Sequence, residues 1–150
     1  FVPADEPNNV LINEYQPDGG SILHHTDGPS YSGRVAVISL GSDCVLSFRH
    51  NLKSHEIGVR FGGDVFSLLL RRRSLLVFAD DAYHLFKHGI DDTTDAASNT
   101  NTPPQRVGDN GPCVNAALTG VQEGDVVHRT GVRTSLTFRR IIIPAANNDK

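Results

Sequence analysis

The stretch from residue 34 to residue 48, RVAVISLGSDCVLSF, indicates the fold class, because it holds two apolar segments separated by a glycine. Arg34–Leu40 and Val45–Phe48 are rich in Val, Ile, Leu and Phe, which favour strands, and Gly41 is a typical turn residue. No window sustains the i, i+3, i+4, i+7 apolar spacing of an amphipathic helix. Further strand-like segments are Val10–Tyr15, Val65–Leu70, Ser74–Phe78, Tyr83–Lys87, Asp125–Arg129 and Arg133–Ile143. The sequence therefore predicts an all-β sandwich, barrel or jelly roll.

Length and composition predict one globular domain over residues 1–150, with 38% hydrophobic residues. The net charge of −3 gives no global field that would attract nucleic acid or anionic lipid. Arg71–Arg73 is the only basic run, and we interpret it as a solvated strand end or turn. No run is long and apolar enough to cross a bilayer, and no signal peptide opens the chain.

Cys44 and Cys113 fit no zinc-binding spacing. One disulfide between them is possible, but two reduced thiols in an intracellular protein is the interpretation we prefer. The chain begins with Phe1 and contains no methionine, so we expect a fragment with a segment missing upstream. We expect it to be a monomer.

The stretch Asp91–Glu123 is polar, rich in Asn, Thr and Pro, and has no periodicity. We predict a long loop there, of the kind that is either functional or disordered.

ILHHTDGPSY, residues 22–31, contains a possible pair of metal ligands. His25 and Asp27 share one face of a strand, and His24 points to the other. Two imidazoles and one carboxylate can bind Fe(II) on one face and leave the opposite positions open. His88, at the end of an apolar strand, is a candidate for the third ligand, and His84 would share its face.

RTSLTFRR, residues 133–140, places four polar side chains on one strand face: Arg133, Ser135, Thr137 and Arg139. An edge strand facing solvent would show the same pattern. An open iron site also needs a co-substrate, and a dicarboxylate such as 2-oxoglutarate would require a fixed cation. Arg133 suits that carboxylate because its guanidinium is planar and always charged, with Ser135 beside it and Tyr15 opposite.

Four segments together resemble the AlkB family of iron- and 2-oxoglutarate-dependent dioxygenases, and in particular its homologue-six subgroup: NEYQPDGGSILHHTDGPSY, VAVISLGS, RRSLLVFADDAYHLFKHGI and RTSLTFRR. The resemblance runs from about Asn13 to Arg140 and implies a double-stranded β-helix, a jelly roll. It implies His25, Asp27 and His88 as iron ligands. The 2-oxoglutarate contacts that it implies come from Asn13, Tyr15, Arg133 and Ser135, with Arg139 near Asp27 and Thr137 between the two arginines.

The reaction that the resemblance implies uses Fe(II), 2-oxoglutarate and O2. Oxidative decarboxylation of 2-oxoglutarate to succinate and CO2 accompanies hydroxylation of an N-methyl carbon, which leaves as formaldehyde. We therefore expect methylated RNA or DNA as the partner and a cytoplasmic or nuclear location. Two alternatives stay open: an inactive AlkB-like module that binds nucleic acid or protein, and an oxygenase of proteins or small molecules.

Two departures from the family pattern affect these expectations. His24 stands where the subgroup usually has proline, and the stretch from Asn13 to His25 is one residue longer than expected. Only His25 keeps the His-x-Asp spacing. The upstream segment that carries the family's substrate-recognition loops is not among these residues, so we expect the sequence to predict the chemistry and not the substrate.

Overall fold

A computed structural model describes residues 6–17, 20–51, 65–91 and 105–142. The predicted all-β class is confirmed, because strands account for most of the described residues. The strands are β1 (Asn9–Tyr15), β2 (Ile22–His25), β3 (Tyr31–Leu40), β4 (Cys44–His50), β5 (Val65–Leu70), β6 (Ser74–Ala79), β7 (Phe86–Ile90), β8 (Gln105–Arg106), β9 (Val126–Val127) and β10 (Arg133–Ile141). The described residues also include two short helices, α1 (Asp80–His84) and α2 (Ala116–Thr119).

Two four-stranded antiparallel sheets form the body of the protein. The first has the strand order β1-β10-β3-β6, and the second has the order β2-β7-β4-β5. The chain passes from the first to the second at Gly41, between β3 and β4. Gly41 has a φ of +78°, and a Cβ there would collide with the carbonyl oxygen of Val132, so only glycine fits this turn. The two sheets agree with the jelly-roll core that the sequence predicts.

The main hydrophobic core lies between the two sheets. Val35 and Phe78 contribute from the first sheet, and Leu46, Phe48 and Phe86 contribute from the second. A smaller cluster lies on the far side of the second sheet, where Val107 and Val127 pack with Val45 and Leu69. These two clusters bury both faces of β4, whose first five residues are all buried.

The expectation of no helix was wrong, although both helices are too short to show an apolar period. The strand predicted at Tyr83–Lys87 was misplaced, because α1 ends at His84 and β7 begins at Phe86. The loop predicted at Asp91–Glu123 includes β8 and α2, so it is not without secondary structure. Residues 92–104 of it lie outside the described residues, as does Ile143 of the last predicted strand.

No helix in the described part of the chain is long and apolar enough to span a membrane.

Candidate metal centre and co-substrate pocket

A cavity of about 70 Å³ opens between the two sheets. Its lining includes every site residue that the sequence predicts: Asn13, Tyr15, His25, Asp27, His88, Arg133, Ser135, Thr137 and Arg139. Apolar side chains from both sheets, among them Val37, Leu46 and Phe78, form much of the rest. The polar residues come from β1, β2, β7 and β10 and from the segment after β2, so the fold brings together residues that are far apart in sequence.

The two candidate histidine ligands lie on neighbouring strands. His25 on β2 is paired with His88 on β7, and their ring centroids are 4.5 Å apart. Asp27 follows two residues after His25, and one ligand atom from each of the three lies within 4.8 Å of the others. This is the one such cluster of His, Cys, Asp or Glu in the described ranges. His84 is not part of it, because it lies in α1 and not on a strand face with His88.

The contacts of the three side chains fit a divalent cation. His25 Nδ1 lies 2.8 Å from the carbonyl oxygen of Leu23, so Nδ1 carries the proton and Nε2 keeps a free lone pair. Burial lowers the pKa of His88 to about 4, against the opposing effect of Asp27, so His88 is neutral at pH 7 and can bind a metal. Asp27 Oδ2 is buried without a hydrogen-bond partner, 3.8 Å from His88 Nε2. Since a buried carboxylate oxygen without a partner is costly, a cation at this position would stabilise it.

Arg139 holds the other oxygen of Asp27. Its Nη1 donates to Asp27 Oδ1 at 2.7 Å, and the two side chains are only 10% and 3% exposed. The guanidinium also lies 4.2 Å from the centre of the Tyr31 ring. Asp27 is thereby oriented with Oδ1 toward Arg139 and Oδ2 toward the histidines. The structure places Arg139 beside Asp27, as the family resemblance implies.

Arg133 lies six residues before Arg139 on the same strand and is almost fully buried, at 2% exposure. Its Nε donates to Ser39 Oγ at 3.1 Å, and its guanidinium lies 5.1 Å from the centre of the Tyr15 ring. Its Nη1 is buried and has no hydrogen-bond partner. A buried guanidinium with a free donor beside a cavity fits an anionic ligand such as a carboxylate.

The register of the first sheet explains why these groups share one surface. Tyr15 pairs with Arg133, as the sequence predicts, and Asn13 pairs with Ser135. Ser135 in turn pairs with Ser39 on β3, and Ser39 pairs with Ser74 on β6. A row of polar side chains therefore crosses the sheet next to Arg133.

Two contacts were missed by the sequence analysis. Ser39 could have been found, because its spacing from Val35 and Val37 places it on the inner face of β3. The contact of Tyr31 with Arg139 has no sequence signal, because it depends on the pairing of β3 with the end of β10.

The basic run Arg71–Arg73 forms the turn between β5 and β6, in agreement with the predicted turn. Arg71 donates to Asp43 at 2.9 Å and to the carbonyl oxygen of Thr119 at 3.0 Å. The backbone N–H of Arg73 donates to the carbonyl oxygen of Ser39, so the turn lies at the Arg133 end of the cavity.

Comparison with known families identifies the class. The sequence profile of the 2OG-Fe(II) oxygenase superfamily matches residues 2–139. The chain belongs to this superfamily, and the predicted enzyme class, a dioxygenase that uses Fe(II), 2-oxoglutarate and O2, is confirmed at the level of the family.

Curated relatives confirm the resemblance to the AlkB family. The zebrafish (Danio rerio) protein named "Probable RNA/DNA demethylase ALKBH6" is 34% identical over 137 residues, which cover 89% of this chain and 53% of that protein. The Macaca fascicularis protein named "tRNA (carboxymethyluridine(34)-5-O)-methyltransferase ALKBH8" is 28% identical over 144 residues, covering 91% of this chain and 18% of that protein. This chain thus spans about half the length of the first relative and less than a fifth of the second.

Proposed function

We propose that the chain is the catalytic core of an Fe(II)- and 2-oxoglutarate-dependent dioxygenase that removes N-linked methyl groups from nucleic acid. One observation carries the proposal: all nine predicted site residues line a single cavity, with the His-Asp-His cluster and the buried cation Arg133 in the same lining. A solvent-facing polar strand, the alternative for RTSLTFRR, would not bury Arg133, Ser135 and Arg139.

The residues of this chain would divide the work as follows. His25, Asp27 and His88 would hold Fe(II), with Arg139 orienting the carboxylate of Asp27. Bound iron, together with 2-oxoglutarate and O2, supplies the oxidising chemistry of the family.

The co-substrate would be bound by the first sheet. Arg133 would bind the far carboxylate of 2-oxoglutarate through its free Nη1, next to Ser135. Asn13 and Tyr15 lie across the strand pair from Ser135 and Arg133, where they can contact the same ligand. The apolar lining limits water around these charges, which strengthens their interactions.

The nucleic-acid substrate is supported by the relative whose name describes an RNA/DNA demethylase. A methylated base flipped out of its stack could enter a local pocket even though the net charge is −3. We also propose a cytoplasmic or nuclear location, which the two free, buried cysteines support. Imaging of the tagged chain in cells tests this location.

The test of the cofactor chemistry is an anaerobic titration with Fe(II) and then 2-oxoglutarate. We expect the weak visible charge-transfer band of an iron–2-oxoglutarate chelate, and we expect His88→Ala to abolish it. Folded wild-type protein without the band would refute the dioxygenase proposal.

The test of the substrate is aerobic incubation with methylated and unmethylated oligonucleotides. We expect succinate and formaldehyde to form in equal amounts with a methylated RNA or DNA only. A band without demethylation of any oligonucleotide would favour an oxygenase of proteins or small molecules. Tight oligonucleotide binding without the band would favour an inactive binding module.

A further inference from the structure

His24, which stands where the family resemblance leads one to expect proline, joins a hydrogen-bonded network on the outer face of the second sheet. His24 Nε2 lies 2.8 Å from Ser47 Oγ, and Ser47 Oγ donates to Asp91 Oδ2 at 2.7 Å. Because a hydroxyl has one proton and a carboxylate only accepts, Ser47 donates to Asp91 and accepts from His24 Nε2–H. Arg49 completes the network with an ion pair to Asp91 at 2.9 Å.

The network joins three strands across a glycine. His24 is on β2, Ser47 is on β4, and β7 lies between these strands in the sheet. Gly89 of β7 faces His24 so closely that an added Cβ would lie 3.0 Å from both Cα and Cγ of His24, and 2.8 Å from the carbonyl oxygen of Ile22. The absence of a side chain at Gly89 lets the His24 ring cross β7 and reach Ser47.

The network contains a serine, a histidine and an aspartate, but it is not built for nucleophilic catalysis. Ser47 is 1% exposed, so no substrate can reach its hydroxyl. Its proton also points to Asp91 and not to the histidine, whereas a nucleophilic serine donates to its histidine base. The role of the network must therefore be structural or positional.

The backbone pairing of β2 alone fixes its register only weakly. This four-residue edge strand pairs with β7 at only two points, Ile22 with Ile90 and His25 with His88, and the register shifts between them. A slip of one residue would turn every side chain of β2 to the opposite face. His24 would then face the cavity, while His25 and Asp27 would turn away from it.

We propose that His24 is a positioning residue, which, by binding Ser47 across Gly89, fixes the register of β2 in which His25 and Asp27 face the metal site. The inference rests on the proposed metal centre and adds a residue outside the cavity to it. His24 itself contacts no ligand, because its ring lies on the face opposite to the cavity. The network thus acts on metal affinity through His25.

The test measures Co(II) affinity of the metal-free chain from its visible d–d absorption, under anaerobic conditions. We expect His24→Ala and Ser47→Ala to weaken Co(II) binding about 10- to 100-fold, the usual effect of losing a residue that orients a metal ligand. The d–d band should still form at saturation, because the ligand set is intact. The double variant should bind no more weakly than the weaker single variant, since both single variants break the same His24–Ser47 bond that fixes the register.

Ser67→Ala is the matched control. Ser67 is the residue paired with Ser47 on the neighbouring strand, is 0% exposed, and donates to the carbonyl oxygen of Gly111 instead of to the network. We expect this variant to lower the melting temperature while Co(II) affinity stays within twofold of wild type. His24→Gln, which can place a donor near the position of Nε2, should recover much of the affinity, and Ser47→Ala carries the test if His24→Ala does not fold.

The outcomes separate this inference from the proposed function. Co(II) affinities of His24→Ala and Ser47→Ala within threefold of wild type would refute the positioning role and leave the metal centre in place. An equal loss in Ser67→Ala would also refute it, because the effect would then be general destabilisation. If the wild-type chain itself gives no Co(II) band, the metal centre and the positioning role both fail.

Discussion

Replacing Arg133 by lysine tests the assignment of the co-substrate end of the cavity. The substitution keeps one positive charge and most of the buried volume. It removes the planar guanidinium, whose Nε donates to Ser39 and whose Nη1 is free to bind a carboxylate in the wild type. We expect 2-oxoglutarate to bind more weakly and Mn(II) to bind as in the wild type, because Arg139, and not Arg133, is the arginine that orients the metal ligand Asp27.

The size of the effect follows from the number of bonds. Arg133 lines the cavity and has one buried donor, Nη1, without a partner, so its loss would remove one charge-assisted hydrogen bond to the co-substrate. Such a bond contributes about 1.5–3 kcal/mol. At about 1.4 kcal/mol for each factor of ten, the Kd of 2-oxoglutarate should rise about 10- to 150-fold.

The assay is calorimetric titration of 2-oxoglutarate into protein saturated with Mn(II), with the Kd of Mn(II) measured separately. Arg140→Lys is the control, because Arg140 also lies on β10, is on the face of the strand opposite to Arg133, and donates to the backbone of Glu6 in an exposed contact. Its Kd should equal that of the wild type. An unchanged Kd for 2-oxoglutarate in folded Arg133→Lys, or an equal loss in Arg140→Lys, would refute the assignment.

Three further predictions concern the ion pair, the buried histidine and the cysteines. Asp27→Ala should abolish metal binding and lower the free energy of unfolding by about 3–5 kcal/mol, because it leaves Arg139 buried without its carboxylate partner. Urea unfolding of the metal-free protein measures this loss of stability. The double variant Asp27→Ala/Arg139→Met should recover part of it. Burial lowers the pKa of His88 to about 4, so the unfolded chain binds this proton at higher pH than the folded chain. The metal-free protein should therefore lose up to roughly 3 kcal/mol of stability as the pH falls from about 6.5 to 4. His88→Gln should flatten that part of the pH profile of the free energy of unfolding, measured with urea, and a slope identical to that of the wild type would contradict the assignment. Burial raises the pKa of the Cys44 thiol, and Cys113 is also buried and free. Iodoacetamide should therefore modify neither cysteine in the native protein and both cysteines in denaturant without reductant. Mass spectrometry that finds neither cysteine modified in denaturant would indicate a disulfide.

The sequence predicted the parts of the fold that side-chain alternation controls. Arg34–Leu40 lies within β3, and Arg133 and Tyr15 face each other across β1 and β10, as expected. Elements too short to show a periodic apolar pattern were not predicted or were predicted at the wrong residues. The five residues of α1 complete little more than one helical turn, so Tyr83 and His84 could not be distinguished from a strand by pattern alone.

Within the site, the sequence alone left His84 and His88 as alternatives, because His88 ends an apolar stretch and His84 would share its face in a strand. In the structure, β7 begins at Phe86, so His88 lies on the strand and His84 lies in α1 before it. Where β7 begins depends on its tertiary contacts and not on the local sequence. The bond between Arg133 and Ser39 joins residues 94 positions apart in sequence. Such a contact depends on which strands are neighbours in the sheet, and no short motif contains that information.

The two arginines that share one face of β10 have different electrostatic roles, and this difference bears on how the ligands bind. Arg139 is neutralised by Asp27 at 2.7 Å, whereas Nη1 of Arg133 has no partner. These three groups give the cavity a net charge of +1, and the imidazoles add none when they bind a metal. A divalent cation alone would raise the charge to about +3, and 2-oxoglutarate alone would lower it to about −1, but both together leave it unchanged. Each ligand should therefore increase the binding affinity of the other, and by the same factor, because the coupling between two binding free energies is reciprocal. Titration of Mn(II) with and without 2-oxoglutarate, and the reverse, measures both factors, and independent binding of the two would show that they do not share this cavity.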